Sequence, residues 1–593
     1  MCGIFGYIGD DENSAVKAIR GIKDLEYRGY DSWGIIVKTP NKIFYKKGLG
    51  KVSDISEDNF KSVNGTMALG HTRWATHGKV CIPNTHPHFN QDRTLAVVHN
   101  GIVENYQELK TEIENKSKAQ IFRSQTDTEV IPHLINFFLH DGISFEEAVM
   151  RTCRKLKGRF AFVATHKDYP FIMVARSGSP LVVGIGDGEY FVASDTPAFL
   201  DYTQTVNYMG DGECAKMSHG GISFFNFHNG KKVTKENKII SWSKSDASKK
   251  KWNHFMIKEI MEQKESLERA RNQKKEDITK AVEIVKQSSS VYLVGCGTAA
   301  HVCMGAEYMF SDIAGTRISF AHASEFHKYL PFLNNKSLVI PVTQSGETAD
   351  VLEIIEAAKK KKSKILSIIN VRGSSVERES HHFLPINAGP EIAVASTKAA
   401  TSQMITFLAL TFALADKTRQ GNHALKKYIS AINAWLTKEL LKDIKGIAKR
   451  IVATDRLFVI GKSSNYPAAL EAALKIKEVS YIHAEGLAAA ELKHGPIALV
   501  EKGTPCIALL ANDEYKNDVL NNVEELKARG AFMIGIGPEK NKIFDRFIQV
   551  PDIGHASSVV NIIATQILAY YLATLRGLDP DKPRNLAKSV TVK

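Results

Sequence analysis

Short apolar, β-branched runs broken by Gly and Asn fill roughly the first 240 residues. Gly34–Val37, Met67–Gly70, Leu95–His99, Phe160–Thr165, Phe171–Ala175 and Tyr190–Ser194 each predict a strand. Apolar positions at helical spacing predict helices over Asn13–Leu25 and around Thr128–Leu139. This is the pattern of an α+β domain rich in antiparallel sheet. From about Phe255 the spacing becomes helical, and then it repeats. The strand and small-residue turn of Val291–Thr298 return at Leu457–Ser464, Leu338–Val342 matches Cys506–Leu510, and third strands follow at Ile365–Val371 and Phe532–Gly537. Strands separated by helix-length segments predict parallel α/β units, here two in tandem and doubly wound. The expected division is therefore 1–240, a Ser/Lys-rich linker at 241–254, subdomains at 255–445 and 446–580, and an extended tail at 581–593.

Composition adds limits. With 593 residues, 44% of them hydrophobic and 24% charged, the chain is globular and has several domains. The net charge of +14 suits an anionic small substrate, and the basic residues are too dispersed for a nucleic-acid stripe. The seven cysteines contain no C-x-x-C pair, so neither a disulfide framework nor a zinc knuckle is expected, and a reducing compartment is the plain reading. Met1–Asp10 has no basic and apolar leader pattern, and the apolar run Met404–Ala415 is too short to span a bilayer. A cytoplasmic protein is expected. His86-Pro87-His88 has no companion ligands at metal-site spacing, and no metal is expected.

Two sets of residues carry chemistry. Cys2 follows the initiator Met, whose removal would leave a thiol beside a free α-amine able to take its proton. On that residue alone, a buried cysteine that happens to come second is the favoured reading. In the second half, Thr343-Gln344-Ser345-Gly346-Glu347-Thr348 sits between a strand and a helix, where hydroxyls and backbone N–H groups can cradle a phosphate. Gly295–Thr298 and Val394–Lys398 add further hydroxyls. The second repeat has the acidic turn Ala511–Glu514 there instead, so its contribution must differ. It carries Lys475, Glu478 and His494 as acid–base candidates, although Lys475 and Glu478 at i,i+3 are equally a surface ion pair.

The order of Met1–Gly6, Leu25–Ser32, His71–Gly78, Val98–Ile102 and Thr126–Glu129 resembles the N-terminal-nucleophile (class II) glutamine amidotransferase domain. The half from about 255, including the tail Arg584–Val592, resembles the tandem sugar-isomerase (SIS) module of the glucosamine-6-phosphate synthase family. The first resemblance implies sandwiched antiparallel sheets and glutamine hydrolysis. Cys2 would be the nucleophile, Asn100 and Gly101 the oxyanion donors, Arg73, Thr76, His77 and Asp127 the glutamine pocket, and Trp74 the gate of an ammonia channel. The second implies binding of fructose 6-phosphate by Thr298, Thr343, Gln344, Ser345, Thr348, Val394 and Ser396. His494 would open the ring, Lys588 would form a Schiff base, and Glu478 with Lys475 would move protons. No cofactor is implied, and the family is usually dimeric through its isomerase half.

Three positions depart from the family pattern. Ala299 stands where a Ser usually follows the Gly-Thr turn, Thr343 replaces a Ser, and Trp33 replaces a small residue after Tyr-Asp-Ser. A purine- or asparagine-forming amidotransferase would need a phosphoribosyl or ATP site, and no P-loop follows residue 250. A non-catalytic sugar-phosphate sensor would not need Cys2, Glu478, His494 and Lys588 together.

Overall fold

The computed structural model describes residues 2–39, 42–117, 121–240, 246 and 248–590. They form two compact units, one reaching Ala247 and including the tail from Ala587, the other Ser248–Leu586. Residues 241–245 and 247 of the expected linker, and 591–593 of the tail, lie outside the described residues.

The first unit is built on two antiparallel sheets of eight and seven strands. All six strands expected from the sequence are present, as are helices Ser14–Asp24 and Val130–His140. In the larger sheet, Gly3–Gly9 lies between Glu189–Ala193 and Met67–Arg73. In the smaller, Leu95–Gly101 pairs with Phe160–His166, which pairs with Phe171–Ser177. Period-two alternation explains the layering. Ala96 and Val98 face a core shared with Ile4, Ile8 and Leu69 of the larger sheet. Leu95 and Val97 face a second core under helices Val130–His140 and Phe145–Lys155. Helix Ser14–Asp24 covers the outside of the larger sheet closely: a Cβ on Gly21 would lie 2.2 Å from the Phe5 ring.

The second unit holds two five-stranded parallel sheets. In one, Ser319–His322, Ser290–Gly295, Ser337–Thr343, Lys364–Ile369 and His382–Pro385 lie side by side. In the other, His483–Ala488, Arg456–Gly461, Pro505–Leu509, Phe532–Gly537 and Arg546–Gln549 repeat that arrangement. The first strand of each closes on its helix through a glycine. A Cβ on Gly295 would meet the Ala299 backbone at 2.8 Å, and one on Gly461 would meet the Asn465 carbonyl at 2.1 Å. The edge strands carry too little apolar alternation to be read from sequence.

The core helices are Lys398–Leu414 and Ser557–Leu575. The latter, counted from Gly554, is long and apolar enough by composition to cross a membrane, and it exceeds the run Met404–Ala415. Its apolar window is 83% buried within the protein, so it is a core helix. Two of its polar residues have buried partners: Asn561 donates to Asn465 Oδ1 at 2.9 Å, and Gln263 donates to Gln566 Oε1 at 2.9 Å.

Candidate active sites

Cys2 enters the edge-to-edge run of the larger sheet just before Gly3, so its side chain meets the end of the neighbouring strand, Arg73–Trp74. Sγ accepts the Trp74 N–H at 3.2 Å and lies 3.4 Å from the Trp74 carbonyl. Burial pushes the thiol up, Asp127 adds to this, and the Trp74 N–H and Arg73 pull it back. Asn100, 98 positions away in sequence, donates from Nδ2 to the Cys2 carbonyl at 2.9 Å. Gly101 has φ +110°, and a Cβ there would lie 1.9 Å from the Arg159 carbonyl, so only glycine fits beside Asn100.

The expected glutamine-pocket residues cluster on the segments beyond these strands. Arg73 is buried and its guanidinium donates to the carbonyls of His77, Gly78 and Lys79, which shapes the 73–79 turn. Thr76 is exposed and lies 3.4 Å from His77 Nδ1, and the His77 ring packs edge-on against Tyr106. Asp127 is buried and accepts the Val103 N–H at 2.7 Å. Trp74 packs edge-on against Tyr30 at 5.5 Å.

The structure also enlists residues that were not assigned a role from sequence. Arg28 Nε donates to the Cys2 carbonyl at 3.2 Å, and Asp31 accepts the Ala75 N–H at 2.8 Å. Both lie in the Leu25–Ser32 motif, which was a usable signal. His71 and Ser194 hold the Asn100 amide; Ser194 gave no signal at all. His86 and His88 are engaged by Thr128 and Thr126 hydroxyls, each at 3.1 Å, so they brace the 126–129 segment. Among the described residues no group of three or more His, Cys, Asp or Glu is placed to hold a metal ion. Trp33 is buried, packs edge-on on Phe60, and is accommodated by Gly48 across the sheet, where a Cβ would lie 2.6 Å from its indole.

In the second unit, the loops at the carboxyl ends of Ser290–Gly295 and Ser337–Thr343 lie where strand order reverses, the usual ligand position in this architecture. The Thr343 hydroxyl accepts the Gly346 N–H at 3.1 Å and Ser345 Oγ accepts the Glu347 N–H at 3.2 Å, which curls the loop toward helix Ala349–Lys360. Gly346 has φ +67°, and a Cβ there would lie 2.1 Å from Ser374 Oγ. The Gln344 carbonyl accepts from Val371, and the buried Glu347 carboxylate takes the Ser375 N–H at 2.8 Å, which ties the loop to the next strand's exit. Thr348 caps the helix start by position, with no side-chain cap bond. The Val394 N–H donates to the Asp581 carbonyl, and Ser396 donates to Glu391, whose other oxygen takes the N–H groups of Thr397 and Ala399.

The acid–base set lies on helix Asn465–Ser480. Lys475 Nζ lies 2.5 Å from Glu478 Oε2, and Lys475 is buried, so this is no surface pair. Thr298, expected in the sugar-phosphate site, accepts from Lys475 at 2.9 Å and donates to Glu471 at 3.1 Å. Glu471 and its partner His301, 2.8 Å away, were missed from sequence. Their only signal was helical spacing, since Glu471 precedes Lys475 by one turn. His494 is exposed at the end of the short helical segment Ala489–His494, and no hydrogen bond or ion pair among the described residues joins it to Lys475 or Glu478. Lys588 is half-buried in the tail, outside any regular element.

Comparison with known proteins matches these two constructions. A glutamine amidotransferase domain model matches residues 74–201, and an SIS domain model matches 283–413 and again 451–576. The glutamine–fructose-6-phosphate aminotransferase [isomerizing] of Pyrococcus horikoshii is 41% identical over 600 residues, covering 100% of both chains. The protein of that name from Clostridium perfringens is 38% identical over 617 residues, again covering 100% of both. Among solved structures, the C-terminal domain of glucosamine-fructose-6-phosphate aminotransferase from Francisella tularensis is 32% identical, with a TM-score of 0.53, covering 57% of this chain and 100% of that one. Fold and sites thus define a glutamine amidotransferase unit carried on the same chain as a tandem sugar-isomerase unit. The chain belongs to the glutamine–fructose-6-phosphate aminotransferase (isomerizing) family.

Proposed function

We propose that the protein transfers the amide nitrogen of L-glutamine to D-fructose 6-phosphate, giving L-glutamate and D-glucosamine 6-phosphate, the entry step of hexosamine synthesis. Residues 1–240 carry the glutaminase, 255–445 the phosphate site, 446–580 the acid–base groups, and the tail from 581 completes the isomerase site. The Cys2 thiolate attacks the glutamine amide carbon, and Asn100 and the Gly101 N–H stabilise the oxyanion, at roughly 3–4 kcal/mol per donor. Arg73 and Asp127 take the carboxylate and ammonium, with Thr76 and His77 completing the pocket. Ammonia leaves, and water hydrolyses the thioester to glutamate.

Ammonia then passes inside the protein, gated by Trp74. Fructose 6-phosphate binds at Thr298, Thr343, Gln344, Ser345 and Thr348, with Val394 and Ser396 near the sugar, and His494 opens the ring. The Lys588 amine condenses with the C2 ketone and loses water, and ammonia displaces it. Glu478, with Lys475, takes a proton from C1 and returns one to C2, which leaves the aldehyde and the amine of the product.

The observation that carries this reading is the convergence of Asn100 on Cys2 in a chain whose other unit buries Lys475 against Glu478. The test is an assay of purified protein with glutamine and fructose 6-phosphate. Amino sugar and glutamate should appear in equal amounts; glutamate without amino sugar overturns the proposal. A homodimer through the isomerase half is part of it. The exposure of His494 and of Leu499 on the adjoining turn favours this, and sedimentation should give twice the chain mass. The expected compartment is the cytoplasm.

A further inference from the structure

The Asn100 side chain has two faces that look alike in shape and opposite in charge, and its value beside Cys2 depends on which face is turned inward. Two acceptors settle this. His71 Nε2 lies 2.9 Å from the His99 carbonyl, which can only accept, so Nε2 carries the proton. The same nitrogen lies 3.1 Å from Asn100, and the atom facing it must then be the carbonyl Oδ1. The amide nitrogen is thereby turned to the Cys2 carbonyl at 2.9 Å and to Ser194 Oγ at 2.8 Å. Ser194 Oγ also accepts the Ile4 N–H at 2.8 Å, which ties this cluster to the strand that follows Cys2.

We propose that His71 is a positioning residue for glutamine hydrolysis: its Nε2–H fixes the orientation of the Asn100 amide so that an N–H donor, and not an oxygen, faces the nucleophile. This rests on the reading of Asn100 as an oxyanion donor. The environment suits a fixed neutral donor. His71 is fully buried, its ring stacks on His86 at 3.9 Å, and burial together with His99 and Arg73 pushes its pKa down to about 3, against bonds from the His99 carbonyl and Asn100. It therefore keeps one proton on Nε2 across the working range of pH. Its position is set by the sheet, since His71 lies opposite Ile4 on one side and Gly34 on the other. A flipped amide would present a lone pair to a developing negative charge.

The test compares His71→Leu, His71→Gln and Asn100→Ala in the full chain. It reads kcat and KM for glutamine hydrolysis and the rate at which iodoacetamide alkylates Cys2. Alkylation forms no oxyanion and reports only whether the thiol site is intact. Asn100→Ala should lower kcat by about 10²–10³-fold. His71→Leu should lower kcat roughly tenfold or more with KM little changed, and His71→Gln, which restores a donor near the Nε2 position, should recover most of it. Alkylation should be the same in all. Wild-type kcat in His71→Leu beside a collapsed Asn100→Ala would overturn the positioning role. So would failure of His71→Gln to recover, or a matching loss of alkylation. Wild-type kcat in Asn100→Ala would overturn the oxyanion reading beneath it.

Discussion

The Lys475 ammonium lies 2.5 Å from a Glu478 oxygen and 3.4 Å from a Glu471 oxygen, and Lys475 and Glu471 are each 1% exposed. One cation is thus shared by two carboxylates, and Glu471 is further held by Thr298 and His301 from the helix of the other repeat. Lys475→Met should leave a buried carboxylate uncompensated and destabilise the second unit by about 3–5 kcal/mol. Amino-sugar formation should vanish while glutamine hydrolysis persists, as read by calorimetry and the two half-reactions. A variant that keeps normal stability would show that the pair is not a buried one.

Burial pushes the Glu471 carboxyl up, but the Lys475 charge and the bonds from His301 and Thr298 outweigh it and hold the group below 4.5. A carboxyl lowered by folding stabilises the fold above its unfolded value and loses that contribution as pH falls toward its folded one. The melting temperature of the second unit should therefore fall more steeply below about pH 4.5 in the wild type than in Glu471→Gln. Parallel curves would contradict the assignment.

The two chemistries should separate by mutation. Cys2→Ala should abolish glutamine-dependent synthesis and spare isomerisation of the sugar phosphate. Lys588→Arg should abolish both isomerisation and amino-sugar synthesis and leave glutamine hydrolysis largely in place, since a guanidinium forms no Schiff base at neutral pH. Equal loss of isomerisation in Cys2→Ala would break the division of labour.

Trp33 and Gly48 should behave as a pair. Gly48→Val would drive side-chain atoms into the indole, with an expected cost of about 1–3 kcal/mol. Combining it with Trp33→Ala should recover part of that loss, as chemical denaturation would read. Additive effects would mean that the two side chains do not share the space.

Much of the framework was legible because burial writes a period into the chain. The strands Leu95–Gly101 and Phe160–His166 alternate between two cores, and the central strands of both parallel sheets are continuous apolar runs. The edge strands Ser319–His322, His382–Pro385 and Arg546–Gln549 escaped because an edge is half solvated and its residues need not be apolar. Helix Ser557–Leu575 shows no unbroken apolar run because Asn561 and Gln566 interrupt it, and their hydrogen-bond partners Asn465 and Gln263 are distant in the chain.

At the sites, sequence named the candidate reactive groups and missed side chains that hold them in place. Cys2, Asn100, Lys475 and Glu478 occur in recognisable motifs. Ser194, His71, Glu471 and His301 each hydrogen-bond to another side chain; nothing local marks Ser194 or His301, while His71 opens the His71–Gly78 motif and Glu471 stands one helical turn before Lys475 without either contact being visible in the sequence. The Thr298 hydroxyl, legible in sequence as part of the turn after the first strand, also bonds to Lys475, a contact between positions far apart in the chain.

The amino-acid order by itself determined the two-part architecture, the 166-residue repeat and the types of reactive group, since each follows from periodicity or from chemistry carried by one residue. Only the tertiary structure decided which way the Asn100 amide faces, that Lys475 is buried between two carboxylates, and that Gly48 makes room for Trp33. Those are properties of distances between residues far apart in the chain. They are fixed by strand register and helix packing, which no local pattern encodes.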